Sequence, residues 1–100
     1  MPRKTFYFTK YSAIIKFMDE PKITIYGAEW CGPCHMAKNY LNSIGVKYNY
    51  LDVDKVEGAG TTAMEKSGAR SIPVLDIDGD VVIGFDRATI DHLLKTHSLV

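Results

Sequence analysis

One hundred residues suffice for one domain and leave no room for a second core, so residues 1–100 are read as a single unit. Apolar residues at 46% and charged residues at 24% describe an ordinary globular chain rather than a disordered one. Twelve basic and twelve acidic side chains cancel, which removes the electrostatic case for nucleic acid or an anionic membrane surface as a partner. No apolar run approaches the length of a membrane span. The basic start Met1-Pro2-Arg3-Lys4 leads into a stretch broken by Thr9, Lys10 and Ser12 rather than into the apolar centre of an export signal. A cytoplasmic location is expected.

In chain order, Thr5 to Phe8 reads as a short strand, and Tyr11, Ile14, Ile15 and Met18 then recur at helical spacing. Residues 1–21 are therefore a first βα unit or an N-terminal extension. Pro21 closes that helix, because the residue before a proline is pushed out of the α region. Lys22 to Tyr26 alternates Ile23 and Ile25 with Thr24 and Tyr26, a strand pattern. After the loop Gly27 to Trp30, a helix places Met36, Ala37, Tyr40, Leu41 and Ile44 on one face and ends at Gly45. Lys47 to Val53 reads as a strand, and Gly58 to Lys66 as a helix stopped by Gly68. Pro73 to Ile77 and Val81 to Gly84 are apolar runs joined by Asp78-Gly79, a dipeptide suited to a two-residue hairpin. Asp86 can cap a last helix carrying Ile90, Leu93 and Leu94. The expected order is β-α-β-α-β-α-β-β-α. Its alternating front implies parallel neighbours and its late hairpin antiparallel ones, giving an α/β fold with a mixed sheet covered by helices on both faces.

The chain has two cysteines, Cys31 and Cys34, where a disulfide scaffold for an exported domain would use more of them over longer loops. Trp30-Cys31-Gly32-Pro33-Cys34 falls between a strand and a helix. Two intervening residues let both sulfurs meet across the first helical turn. The leading cysteine then stands where free N–H groups and the positive end of the helix dipole favour a thiolate, the attacking species in disulfide exchange. Pro33 suits that turn because it offers no N–H where none is needed. Cys31 is the expected nucleophile and Cys34 the expected resolving thiol. Trp30, beside the nucleophile, is read as an exposed plate for substrate contact, against the alternative of a core aromatic.

Ala28-Glu29-Trp30-Cys31-Gly32-Pro33-Cys34 resembles the active-site segment of the thioredoxins, and Ser71-Ile72-Pro73-Val74 resembles the cis-proline segment shared by thioredoxins and glutaredoxins. The resemblance implies a thioredoxin-like fold in which the proline loop packs beside the cysteines and the backbone at Ile72 pairs with substrate. Ile23-Thr24-Ile25-Tyr26 and Gly84-Phe85-Asp86 are more similar to glutaredoxins and to the glutaredoxin-like electron donors of ribonucleotide reductase. By that resemblance ribonucleotide reductase is a candidate substrate. The likeness runs from Lys22 to the C-terminus. Three departures stand out. Ile25 occupies the place of the buried aspartate of thioredoxins, leaving water or Glu29 as proton acceptors for Cys34. Ala28 stands where glutaredoxins carry a lysine, and Ile83-Gly84-Phe85-Asp86-Arg87 replaces their Gly-Gly pair and two acidic residues. Much of the glutathione clamp is absent, so reduction by a thioredoxin-reductase-like flavoprotein is expected ahead of reduction by glutathione.

The expected activity is reduction of protein disulfides by dithiol exchange in a monomer, without metal or tightly bound cofactor and with glutathione as the alternative reductant. The rival readings are a glutathione-dependent glutaredoxin and a redox-sensitive binding module without turnover. Cys31-Gly32-Pro33-Cys34-His35 also fits covalent haem attachment, but the strand-rich remainder and absent export signal count against it. A closed zinc shell needs about four ligands, which one cysteine pair and scattered histidines do not supply. Gly84 is read as permitting close backbone approach near the cysteines, with a plain turn as the alternative, and Phe85 as substrate surface or packing in equal measure. His35 is read as a surface histidine pointing to solvent, ahead of a role in lowering the Cys31 pKa, and His92 and His97 as surface or packing residues. Tyr48 and Tyr50 are read as core ahead of ligand contact, and Asp52 and Asp54 resemble a carboxylate pair that a strand-end turn explains equally well.

Overall fold

The computed structural model describes residues 21–100, so the expected strand at Thr5–Phe8 and the helix over Tyr11–Met18 lie outside the described residues. Within them the order is β1 (Ile23–Gly27), α1 (Gly32–Ser43), β2 (Asn49–Asp52), α2 (Ala59–Ser67), β3 (Val74–Ile77), β4 (Asp80–Ile83) and α3 (Arg87–Thr96). The strands form one sheet in the order β2-β1-β3-β4. β1 and β2 run parallel, as two strands joined by a helical crossover must, and the other two pairs are antiparallel. This is the mixed sheet expected from the sequence.

Strand alternation divides the sheet into two covered faces. Ile23 and Ile25 of β1, Leu75 and Ile77 of β3 and Val82 of β4 meet Ala37 and Leu41 of α1 and Ile90 and Leu94 of α3. Tyr26 and Val74 point the other way and pack on Ala59 and Ala63 of α2. Two small residues on α2 let that short helix lie close to the strands. The helix is bracketed by Gly58 and Gly68, both at positive φ, which L side chains adopt at a cost.

α1 turns by about 100° per residue, and its buried line is Cys34, Ala37 and Leu41. Met36, one step out of phase with that line, is 55% exposed rather than part of the core. Ile44, also expected on the buried face, is the C-cap of α1 and is exposed. β2 is shorter than the run Lys47 to Val53, although the Val53 N–H still donates to the Gly27 carbonyl at 2.9 Å. Asp78 and Gly79 both adopt positive φ, the requirement for a two-residue turn matching strand twist. The Asp86 side chain accepts from the Thr89 N–H at 3.3 Å and from its hydroxyl at 2.8 Å, capping α3.

Leu41 is wholly buried between α1 and the sheet. Leu41→Ala is expected to lower unfolding stability by about 2–5 kcal/mol, read from chemical denaturation. The Thr89 hydrogen bonds hold the Asp86 carboxyl below its ordinary value of 3.8. The ionised carboxylate therefore stabilises the fold above that value, and this contribution is lost as pH falls through the lower folded-state value. Asp86→Ala should melt earlier than wild type at neutral pH, with the gap narrowing on acidification below 3.8.

Candidate active site

The chain leaves β1 through Gly27 and Ala28, both buried, and turns at once into α1. Cys31 is the N-cap of that helix, in an extended conformation, and its N–H donates to the Ala28 carbonyl at 3.2 Å. Its Sγ accepts from the Cys34 N–H at 3.2 Å, taking the place an oxygen usually fills at a cap. Pro33 lies in the first turn. Cys31 and Cys34 are bonded as a disulfide with their Cα atoms 5.2 Å apart. Exposure separates the pair: Cys31 retains 6% and Cys34 none.

The loop before β3 supplies the neighbouring wall. The Ile72–Pro73 bond is cis, Pro73 is buried, and the Ile72 carbonyl lies 3.9 Å from Cys31 Sγ. Trp30 stands on the rim, 71% exposed, with its indole N–H donating to Asp54 Oδ2 at 2.7 Å. Asp54 is itself held by an Asx turn, its N–H donating to Asp52 Oδ1 at 2.8 Å. Trp30, Val53, Met64, Arg70 and Ile72 line an open, mostly apolar groove of about 260 Å³. Glu29 pairs with Lys55 at 3.1 Å, which raises the Lys55 pKa through that hydrogen bond and charge. The Glu29 carboxylate is thus engaged on the surface. His35 does not stand free in solvent: its Nε2–H donates to the Glu29 carbonyl at 2.7 Å, bracing the loop from below.

Cys31, Cys34, Trp30, Gly32, Pro33, Ile72 and Pro73 come together here. Gly84 and Phe85 are placed differently. Gly84 has a φ of +81°, and a Cβ there would meet nothing within 4 Å, so the glycine serves backbone conformation rather than close approach. Its N–H donates to the Pro73 carbonyl at 2.8 Å. Phe85 is half-buried against the core, edge-on to Tyr40 with ring centroids 6.0 Å apart. Among the described residues, no group of three His, Cys, Asp or Glu side chains could hold a metal ion.

Two residues at the site carried no functional reading in the sequence. A methyl group on Gly27 would lie 2.6 Å from the Tyr50 hydroxyl and 3.0 Å from Cys34 Sγ, so this is where a glycine permits close approach. Tyr50 belongs to the core as expected, yet its hydroxyl reaches the loop and donates to the Ala28 carbonyl at 3.3 Å. A glycine at the last position of the strand feeding the motif was the available signal.

A parallel strand end feeding a cysteine-capped helix, with a cis-proline loop beside the sulfurs, defines a thioredoxin-like α/β fold with a redox-active cysteine pair. The glutaredoxin family model matches residues 23–82. The chain belongs to the glutaredoxin family. Glutaredoxin 3 of Escherichia coli K12 is 32% identical over 80 residues, covering 73% of this chain and 96% of that protein. The gene 56 protein of Mycobacterium phage D29 is 33% identical over 77 residues, covering 76% of this chain and 86% of that one. The glutaredoxin of Archaeoglobus fulgidus shares the fold, with a TM-score of 0.69 over 80% of this chain and 92% of that one at 24% identity. Family and cysteine pair together make the chain a thiol–disulfide oxidoreductase.

Gly27→Ala forces its new methyl group against Tyr50 and Cys34. It should destabilise the oxidised protein by about 1–3 kcal/mol in chemical denaturation. Adding Tyr50→Phe removes the nearest clash, so the double variant should recover part of that loss in a double-mutant cycle.

Proposed function

We propose that this protein reduces protein disulfides by dithiol exchange, with Cys31 attacking and Cys34 resolving. The unequal exposure of the two cysteines carries the assignment: Cys31 keeps some contact with solvent, through which an incoming disulfide can approach, and Cys34 keeps none. The cap position supports it further, since N–H groups at a helix start favour an anionic sulfur. The Cys31 thiolate attacks one sulfur of the substrate disulfide, and the other substrate sulfur leaves as a thiolate. Cys34 then attacks Cys31 Sγ, the substrate sulfur departs carrying the proton that Cys34 gave up, and the internal disulfide remains. Two electrons have passed from the dithiol to the substrate.

Ile72, Pro73 and Trp30 bound the approach to Cys31, and the apolar groove beside them suits a peptide segment. Gly84 and Phe85 contribute by shaping the turn and core behind Pro73. The segment Gly84-Phe85 keeps ribonucleotide reductase as a candidate substrate, by resemblance. No tightly bound cofactor takes part, and the reaction is assigned to the cytoplasm. Ala28, buried where the family carries a lysine, favours a thioredoxin-reductase-like flavoprotein as the reductant. The family match favours a second reading in which glutathione restores the dithiol.

Cys34→Ser should accumulate proteins disulfide-linked to Cys31, and Cys31→Ser should trap none and lose insulin-disulfide reduction altogether. Trapping by Cys31→Ser instead reverses the roles. Regeneration with NADPH and thioredoxin reductase should outpace regeneration with glutathione and glutathione reductase; the opposite order selects the second reading.

A further inference from the structure

Cys34 must lose a proton to resolve a mixed disulfide, and its side chain is closed to solvent. Among the described residues no charged or polar side chain is fully buried, and Ile25 fills the strand position where a carboxylate would serve. Glu29, the carboxylate of the adjoining loop, faces Lys55. Tyr50 is different. Strand register sets it directly across from Ile25, and its hydroxyl converges with Cys34 Sγ on the space left by the missing side chain of Gly27. Among the described residues, that hydroxyl is held only by a long bond of 3.3 Å to the Ala28 carbonyl, so rotating it away sacrifices little.

We infer that the Tyr50 hydroxyl donates a hydrogen bond to the Cys34 sulfur as negative charge develops there, making Tyr50 a catalytic residue of the resolving step. The inference rests on the dithiol-exchange reading above. As Cys34 attacks, the S–S bond to Cys31 forms and the bond from Cys31 to the substrate sulfur breaks. The leaving sulfur keeps the electron pair; the proton lost by Cys34 passes to it, or to solvent where the leaving group is a stable thiolate, while Tyr50 retains its own proton throughout. Burial, followed by the charges of Asp52, Glu29 and Tyr48, raises the Tyr50 pKa above its ordinary 10.0, which keeps the phenol a donor at neutral pH. From α1, Lys38 Nζ also faces the ring, 4.7 Å from its centroid. One glycine thereby makes room for a donor at the buried sulfur, in a site where the described residues include no buried base.

The test uses the reduced full chain and the chromogenic disulfide dithiobis(nitrobenzoate). Attack by Cys31 releases a first equivalent of coloured thiolate, and displacement by Cys34 releases a second. In Tyr50→Phe the first phase should keep its rate, while the second slows about tenfold, the effect of one hydrogen bond to a charged group. The pH midpoint of the second phase should also move upward. Equal slowing of both phases, or an unmoved second-phase midpoint, assigns Tyr50 to loop packing and overturns the inference. A ring-fluorinated tyrosine placed at position 50, a stronger donor of nearly the same size, should quicken the second phase; no change there also overturns it. A wild-type chain that releases no first equivalent removes dithiol exchange itself. A two-phase wild type matched by Tyr50→Phe removes the Tyr50 role alone.

Discussion

The structure is organised by the demand that one helix begin with a sulfur. Cys31 occupies the cap of α1 and accepts the Cys34 N–H, so the first turn is closed by a group that is also chemically reactive. The strand before it must end within four residues, and the residues that lead out of it past the buried partner are small: Gly27 and Ala28. A larger residue at Gly27 would press on Cys34 directly, which ties the end of β1 to the geometry of the disulfide.

The other parts of the site are borrowed from elements that the sheet brings alongside. β2 delivers Tyr50 and, just past its end, the Asp52–Asp54 turn that fixes Trp30. The loop before β3 delivers Ile72 and Pro73. Because β1 is central, with β2 on one side and β3 on the other, its end collects residues distant in the chain without long excursions. The packed faces behind it serve as a rigid support: α1 and α3 on one side, α2 on the other. Loops on such a frame are where binding residues concentrate.

Features encoded within a few residues were legible in advance. The helix start at Cys31, the cap at Asp86, the Asp78-Gly79 turn and the stop at Gly68 each depend on local chemistry, and each lies where the spacing put it. The mixed sheet followed from the order of elements. What the spacing missed depended on phase or on tertiary register. Met36 and Ala37 are neighbours in sequence, yet only packing decides which of them faces the sheet. Gly84 and Gly27 look alike in a string of letters. One serves a positive φ with open space around it, and the other a crowded junction. Tyr50 acquired its position at the site from pairing with β1, a contact no local pattern announces. Likewise His35, read as solvent-facing, is tied to a carbonyl across the loop.

Trp30 is the single tryptophan of the chain, and it stands on the rim of the disulfide with its indole nitrogen anchored by Asp54. Disulfides quench indole emission at short range. The protein thus carries one indole reporter beside its disulfide, with no background from another indole, and its ultraviolet emission is expected to brighten when the ring of sulfurs opens and to dim when it closes. Because the fluorophore is also on the open surface, a partner that covers it is expected to shift the colour of the same signal, which would separate docking from electron transfer in one unlabelled sample.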